Sequence, residues 1–166
     1  MASIVLPDST VFLQPGELFA TQSPASVKTI LGSCLAVTMR APRLGLAAMS
    51  HCLLPNAGEL SSMLSDAEAL RYVDSTIELM LRRFAAHGVD RGELEIKLFG
   101  GSGKPELTTY SVGQRNVATA RMVLARYGIQ ATASATGGRC GMAIQFDTGS
   151  GNVLVKRLPC NSESGK

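Results

Sequence analysis

The strongest constraint on this fold is a pair of short apolar runs either side of a proline turn. Cys34-Leu35-Ala36-Val37-Thr38-Met39 leads into Arg40-Ala41-Pro42-Arg43, and Leu44 to Leu54 follows, dense in small residues. The first run is short and β-branched enough for a buried strand. Two such runs across a short proline-containing turn predict an antiparallel hairpin. With the turn centred between Ala41 and Pro42, Cys34 stands opposite Met49. A bulge or a two-residue offset then brings His51 close to Cys34.

The rest of the chain adds helices and further strands to that hairpin. Residues 1–22 read as short strands or an irregular lead-in, with Ser3-Ile4-Val5-Leu6 and Leu18-Phe19-Ala20 as the apolar pieces. Residues 23–28 read as a Ser/Pro loop. Ser65 followed by Glu68 forms a capping box. Leu70, Val73, Ile77, Met80, Leu81 and Phe84 then recur at helical spacing until His87-Gly88 ends the element. Leu94 to Phe99 alternates as a strand does. Ser111 and Gln114 open a second helix, whose buried stripe is Val117, Ala120, Val123, Leu124 and Tyr127. Ile129 to Ala135 reads as a strand, and Met142 to Phe146 pairs with Val153 to Leu158 as a hairpin. The expected fold is a single-domain layered α/β sandwich over residues 1–160, with mixed β-sheets and two main helices. A frayed tail over 161–166 is expected to follow. The elements do not alternate regularly, which argues against a doubly wound nucleotide fold.

Composition removes several classes of function. The 166 residues carry a net charge of +3, no Trp and eight aromatic residues, with no Lys/Arg-rich block. That is poor support for nucleic-acid binding. The start of the chain lacks the basic stretch and long apolar core of a signal peptide, and no apolar run reaches the ~20 residues that span a bilayer. A cytoplasmic protein without membrane insertion is expected. The four cysteines, at 34, 52, 140 and 160, form no C-x-x-C pair. In a reducing compartment four free thiols are expected, and the spacing gives no zinc site.

The chemistry-bearing residues converge on the hairpin. Cys34 follows a Gly32-Ser33 corner, which can expose a sulfur and aim backbone N–H groups at a developing oxyanion. His51 follows seventeen positions later and can act as the base for a thiol nucleophile. A buried structural cysteine and a satisfied core histidine are the plainer readings of the same residues. Cys52 is expected to point to the opposite face of its strand from His51 and to be core. His87 is explained by its helix end. Gly100-Gly101-Ser102-Gly103-Lys104 suggests a phosphate loop, but position 98 is Leu rather than Gly, and Pro105 replaces the required Ser or Thr. A glycine turn that lets the sheet approach the site fits better.

Thr29-Ile30-Leu31-Gly32-Ser33-Cys34 and Met49-Ser50-His51-Cys52-Leu53-Leu54-Pro55 together resemble the signature of the CheD family of chemoreceptor glutamine deamidases. Lys97 to Gly101, Val112 to Asn116, Gly137-Gly138 and Thr148 to Leu158 resemble further family segments in the same order, so the likeness spans residues 10–158. The resemblance implies a cytoplasmic hydrolase that converts receptor glutamine side chains to glutamate and releases ammonia. It assigns Cys34 as nucleophile, His51 as base and Thr29 as the hydroxyl that orients His51, with no metal or cofactor. Its implied partners are the chemoreceptor cytoplasmic domain and a CheC-like phosphatase. Two departures stand out: the family's acidic residue before the late Gly-Gly is absent from Ser134-Ala135-Thr136, and its arginine after the next glycine is replaced in Gly141-Met142. The competing readings are a receptor- or CheC-binding regulatory module with little turnover and an unrelated α/β protein with structural cysteines. A catalytic Cys34 is expected to alkylate faster than the other thiols, with an acid-shifted pH profile.

Overall fold

The computed structural model describes residues 9–104 and 111–160. The expected apolar piece at 3–6 and the expected frayed tail at 161–166 lie outside the described residues. The elements in order are β1 (Thr10–Phe12), β2 (Leu18–Thr21), β3 (Ser26–Leu31), β4 (Leu35–Ala41), β5 (Leu46–Cys52), α1 (Asp66–Ala69), α2 (Val73–Ala86), β6 (Glu95–Gly100), α3 (Val112–Arg126), β7 (Ala133–Thr136), β8 (Met142–Asp147) and β9 (Val153–Arg157). They build two mixed sheets, one of order β1-β3-β8-β9 and one of order β2-β5-β4-β6-β7. β1–β3 and β6–β7 pair in parallel, and the other neighbours pair antiparallel.

The β4–β5 hairpin is the middle of the structure, because both of its faces are covered. Successive strand side chains point to opposite faces. Leu35, Val37 and Met39 of β4, with Leu46, Ala48 and Cys52 of β5, pack under Val73, Ile77, Met80 and Phe84 of α2 and Ala120, Val123 and Leu124 of α3. The intervening Ala36, Ala47 and Met49 face the other sheet, against Val27, Leu31, Ile144 and Phe146. Every residue of β5 is buried. A strand covered on both faces reads as a continuous apolar run, which is why the sequence shows no alternation here. The result is a three-layer α/β sandwich of helices, five-stranded sheet and four-stranded sheet.

Several expectations are corrected. The hairpin turn lies later than expected. Ala41 pairs with Leu46 around a 3-10 turn at Pro42–Leu44, and Gly45 adopts a left-handed φ of 62° to close it. His51 therefore sits opposite Ala36. Residues 26–28, expected in a loop, open β3, and the strand expected from Ile129 begins only at Ala133. The continuous helix expected from Ser65 is broken. Ser65 caps the single turn of α1 with the expected capping box, and Tyr72 is extended before α2 starts. The backbone at the break is used instead by the chain leaving β5: Leu53 and Leu54 donate to the Arg71 carbonyl, and Val73 donates to that of Leu54. The expectation of four free thiols is also corrected. Cys140 and Cys160 form a disulfide, with Cα atoms 4.9 Å apart, and Cys34 and Cys52 are the free cysteines. Met142 pairs with Arg157 and Leu158 N–H donates to the Gly141 carbonyl. The same ladder, prolonged past the end of β8, brings the two half-cystines side by side.

Candidate active site

The site forms where the two sheets meet. Thr29 and His51 belong to different sheets and face each other across the core. Thr29 lies on the inward face of β3 and is 1% exposed; His51 lies on the inward face of β5 and is 2% exposed. Thr29 Oγ1 is 2.8 Å from His51 Nδ1 and donates to the Leu13 carbonyl at 2.7 Å. A threonine hydroxyl has one proton, and the carbonyl can only accept it. The Nδ1 position must therefore carry the proton and donate to Oγ1. That tautomer leaves the lone pair on Nε2, and Nε2 is buried without a hydrogen-bond partner among the described residues. The Thr29 bond thus fixes the orientation of the His51 ring.

Cys34 stands at the end of the connection that crosses from β3 in one sheet to β4 in the other. It is half-buried and packs against the inter-sheet cluster. His51 is opposite Ala36, two residues beyond Cys34, so Cys34 and His51 lie on the same face at the end of one ladder. The expected Gly32-Ser33 corner is present, and its carbonyls are tied down. Ser102 N–H donates to Gly32 at 3.0 Å, and Asn116 Nδ2 donates to Ser33 at 2.9 Å. Gly101 N–H donates to the Cys34 carbonyl at 2.8 Å. The Gly100–Gly103 turn is the close approach expected of it. At Gly100 (φ +101°) a Cβ would run into the Cys34 carbonyl oxygen, and at Gly101 into Val117 of α3. Glycine here is what lets β6 and α3 press against the nucleophile loop.

Burial sets the resting protonation. It pushes the Cys34 thiol up from its ordinary value, against a hydrogen bond from its own backbone N–H that pulls it down. Burial likewise pushes His51 below an ordinary imidazole. Both effects favour a neutral thiol beside a neutral imidazole rather than a preformed ion pair. An intrinsically acid-shifted Cys34 is therefore not what the surroundings favour. Cys52 points away, as expected. It is fully buried under the helices, and burial raises it to about 11. His87 Nδ1 donates to the Arg83 carbonyl at the end of α2. Of the two departures noted in the late loop, Met142 is fully buried between the sheets and Ala135 packs against the same cluster. Both positions contribute to the core. Asn116 was not singled out as a site residue by the sequence reading. Its signal is a polar side chain on the buried stripe of α3, four residues before Ala120.

The description "CheD chemotactic sensory transduction" matches residues 53–157 of the chain. Over 150 residues the chain is 41% identical to a protein of Geobacter sulfurreducens named probable chemoreceptor glutamine deamidase CheD 2, covering 89% of each chain. It is 34% identical over 156 residues to the probable chemoreceptor glutamine deamidase CheD of Maridesulfovibrio salexigens, covering 89% of this chain and 91% of that one. It is 37% identical over 155 residues to the protein of the same name from Oleidesulfovibrio alaskensis, covering 89% of this chain and 72% of that one. A crystal structure of the Bacillus licheniformis hypothetical protein YfiH is similar at a TM-score of 0.44 and 13% identity, covering 72% of this chain and 50% of that one. The family description and the named relatives bear out the resemblance read from the sequence, and the chain belongs to the CheD family.

Proposed function

We propose that this protein is a chemoreceptor glutamine deamidase that works through Cys34, His51 and Thr29. The observation that carries the mechanism is the Thr29–His51 hydrogen bond, which leaves Nε2 as an unpaired acceptor on the face that Cys34 joins. As Cys34 Sγ bonds to the carboxamide carbon, Nε2 takes the thiol proton. The C–N bond then breaks and Nε2 returns that proton to the departing ammonia, leaving a thioester. Water adds to the thioester carbon as Nε2 takes its proton. The C–S bond breaks and the proton goes back to sulfur, which frees glutamate and restores the enzyme. The Gly32-Ser33 corner, with its carbonyls held by Ser102 and Asn116, is the natural source of backbone donors for the oxyanion. No step calls on a metal or cofactor.

The names of the relatives supply the substrate class, a glutamine side chain on a chemoreceptor. The half-buried position of Cys34 fits a protein side chain entering from the surface. A cytoplasmic place of action and a CheC-like phosphatase as partner belong to the same reading. The test is peptide mass spectrometry of a chemoreceptor cytoplasmic fragment incubated with the protein, with Cys34→Ala as control. Glutamine-to-glutamate conversion that needs Cys34 supports the deamidase reading. A fragment that binds and stays unmodified refutes it and favours a regulatory binding module.

A further inference from the structure

Asn116 lies in the second turn of α3 and is fully buried. Its Nδ2 donates to two backbone carbonyls from different parts of the chain: Ser33, directly before the nucleophile, at 2.9 Å, and Leu53, two residues after His51, at 3.2 Å. Both partners can only accept, which fixes the amide with its nitrogen towards them. Oδ1 is left buried without a partner among the described residues. A buried unpaired acceptor costs about 1–3 kcal/mol, so stability alone is a poor reason for an asparagine here.

The two carbonyls explain it better. The β4–β5 ladder ends at Leu35 opposite Cys52. Ser33 and Leu53 lie just past that end, where pairing between the two strands has stopped. Asn116 spans the gap with both protons of one NH2 group, holding the backbone that precedes Cys34 against the backbone that follows His51. The seat of α3 has a second support besides this bridge. A Cβ at Gly113 would meet the carbonyls of Gly101 and Ser102, so backbone packing sets how closely the helix approaches.

We infer that Asn116 is a positioning residue for deamidation: it fixes the separation of Cys34 and His51 by clamping the open end of their ladder. The inference rests on the Cys–His reading above. Asn116 touches none of the reacting atoms and acts through the two residues that do. The side chain suits the task because it offers two N–H donors from one atom at short reach. Asp offers at most one donor, and Ala none.

The test is a double-mutant cycle on the rate at which iodoacetamide alkylates Cys34 near neutral pH, with the label located by peptide mass. It needs no substrate. His51→Ala is expected to slow alkylation by about 100-fold, as loss of a general base does. Asn116→Ala alone is expected to slow it about 10- to 100-fold, the usual cost of an ångström of misplacement. The double variant is expected to be no slower than His51→Ala. Equal slowing by Asn116→Ala in both backgrounds would mean a loosened fold and would overturn the inference, as would no slowing in the native background. If His51→Ala itself has no effect, the Cys–His reading fails first and takes the inference with it. Should Asn116→Ala not fold, Asn116→Asp, of the same shape, carries the same cycle and the same expectations.

Discussion

Replacing Thr29 by Val tests whether a single hydroxyl sets the state of the base. In the native protein the imidazole donates from Nδ1 to Thr29 Oγ1, and Thr29 passes its own proton to the Leu13 carbonyl. Valine fills nearly the same volume and keeps neither bond. The Nδ1–H form then buries an unpaired donor, a penalty of about 1–3 kcal/mol. The competing tautomer, with the proton on Nε2, gains population by that amount and has no lone pair facing the nucleophile. Loss of that preference alone brings the two tautomers to comparable populations; with the ring also freed from the bond that orients it, the fall in kcat should be about 10- to 100-fold, with KM little changed. The Leu13 carbonyl also loses its donor, so stability should drop by a similar 1–3 kcal/mol. Assays therefore belong well below the unfolding midpoint. Thr29→Ser restores the hydroxyl and should recover activity to within about threefold of native, because it loses only a methyl group. The assay is glutamate formation on the receptor fragment. Imidazole nitrogen shifts by NMR report the tautomer directly. Native-like turnover of Thr29→Val would refute the reasoning, and so would a Thr29→Ser variant as impaired as Thr29→Val.

Two further outcomes follow from the same geometry. His51 must be neutral to accept a proton, and burial holds its pKa below the ordinary 6.5. Activity should therefore stay level through neutral pH and fall only on the acid side, with a midpoint under 6.5. Cys34 alkylation in His51→Ala should instead rise along the thiol's own ionisation, above 9.0. A native acid limb above 6.5 would contradict the assigned environment. The Cys140–Cys160 disulfide closes a loop with a sequence separation of 20. In the chain-entropy account, removing it with Cys140→Ser should cost about 3 kcal/mol in denaturant unfolding under oxidising conditions. An unchanged midpoint there would mean the bridge does not constrain the unfolded chain.

The parts of this fold that could be read from the sequence are those whose causes are local. The capping boxes at Ser65 and Ser111 form as expected, and so do the glycine stops after α2 and α3. The hairpin could be read from two apolar runs, and Cys34 and His51 stand out as a candidate pair from chemistry and spacing. What could not be read depends on partners distant in the chain. The register is four positions from the one centred on Ala41–Pro42, because Pro42 starts the turn and Gly45, not Pro42, closes it. The helical stripe from Leu70 to Phe84 runs straight through a break at which the Arg71 carbonyl accepts from Leu53 and Leu54, residues distant in the chain. β1 and β7 are held by parallel neighbours that no local pattern announces. The disulfide pairs two cysteines that spacing leaves unrelated. Thr29 is implied by the family likeness, and its bond to His51 crosses between two sheets whose packing no local pattern shows.

That crossing has a consequence for how the protein would lose its function. Each sheet keeps its own backbone hydrogen bonds whether or not it touches the other. Thr29 comes from one sheet and His51 from the other, while Cys34 sits on one of the connections that pass between them, the one from β3 to β4. The reactive centre is thus a property of the seam rather than of either half. A molecule whose layers have slid or parted by a side chain's width would retain its strands and helices, and nearly all its spectroscopic signature, yet hold no catalyst. Turnover on heating should fade before secondary structure does, and it is the more sensitive gauge of whether the two layers are home.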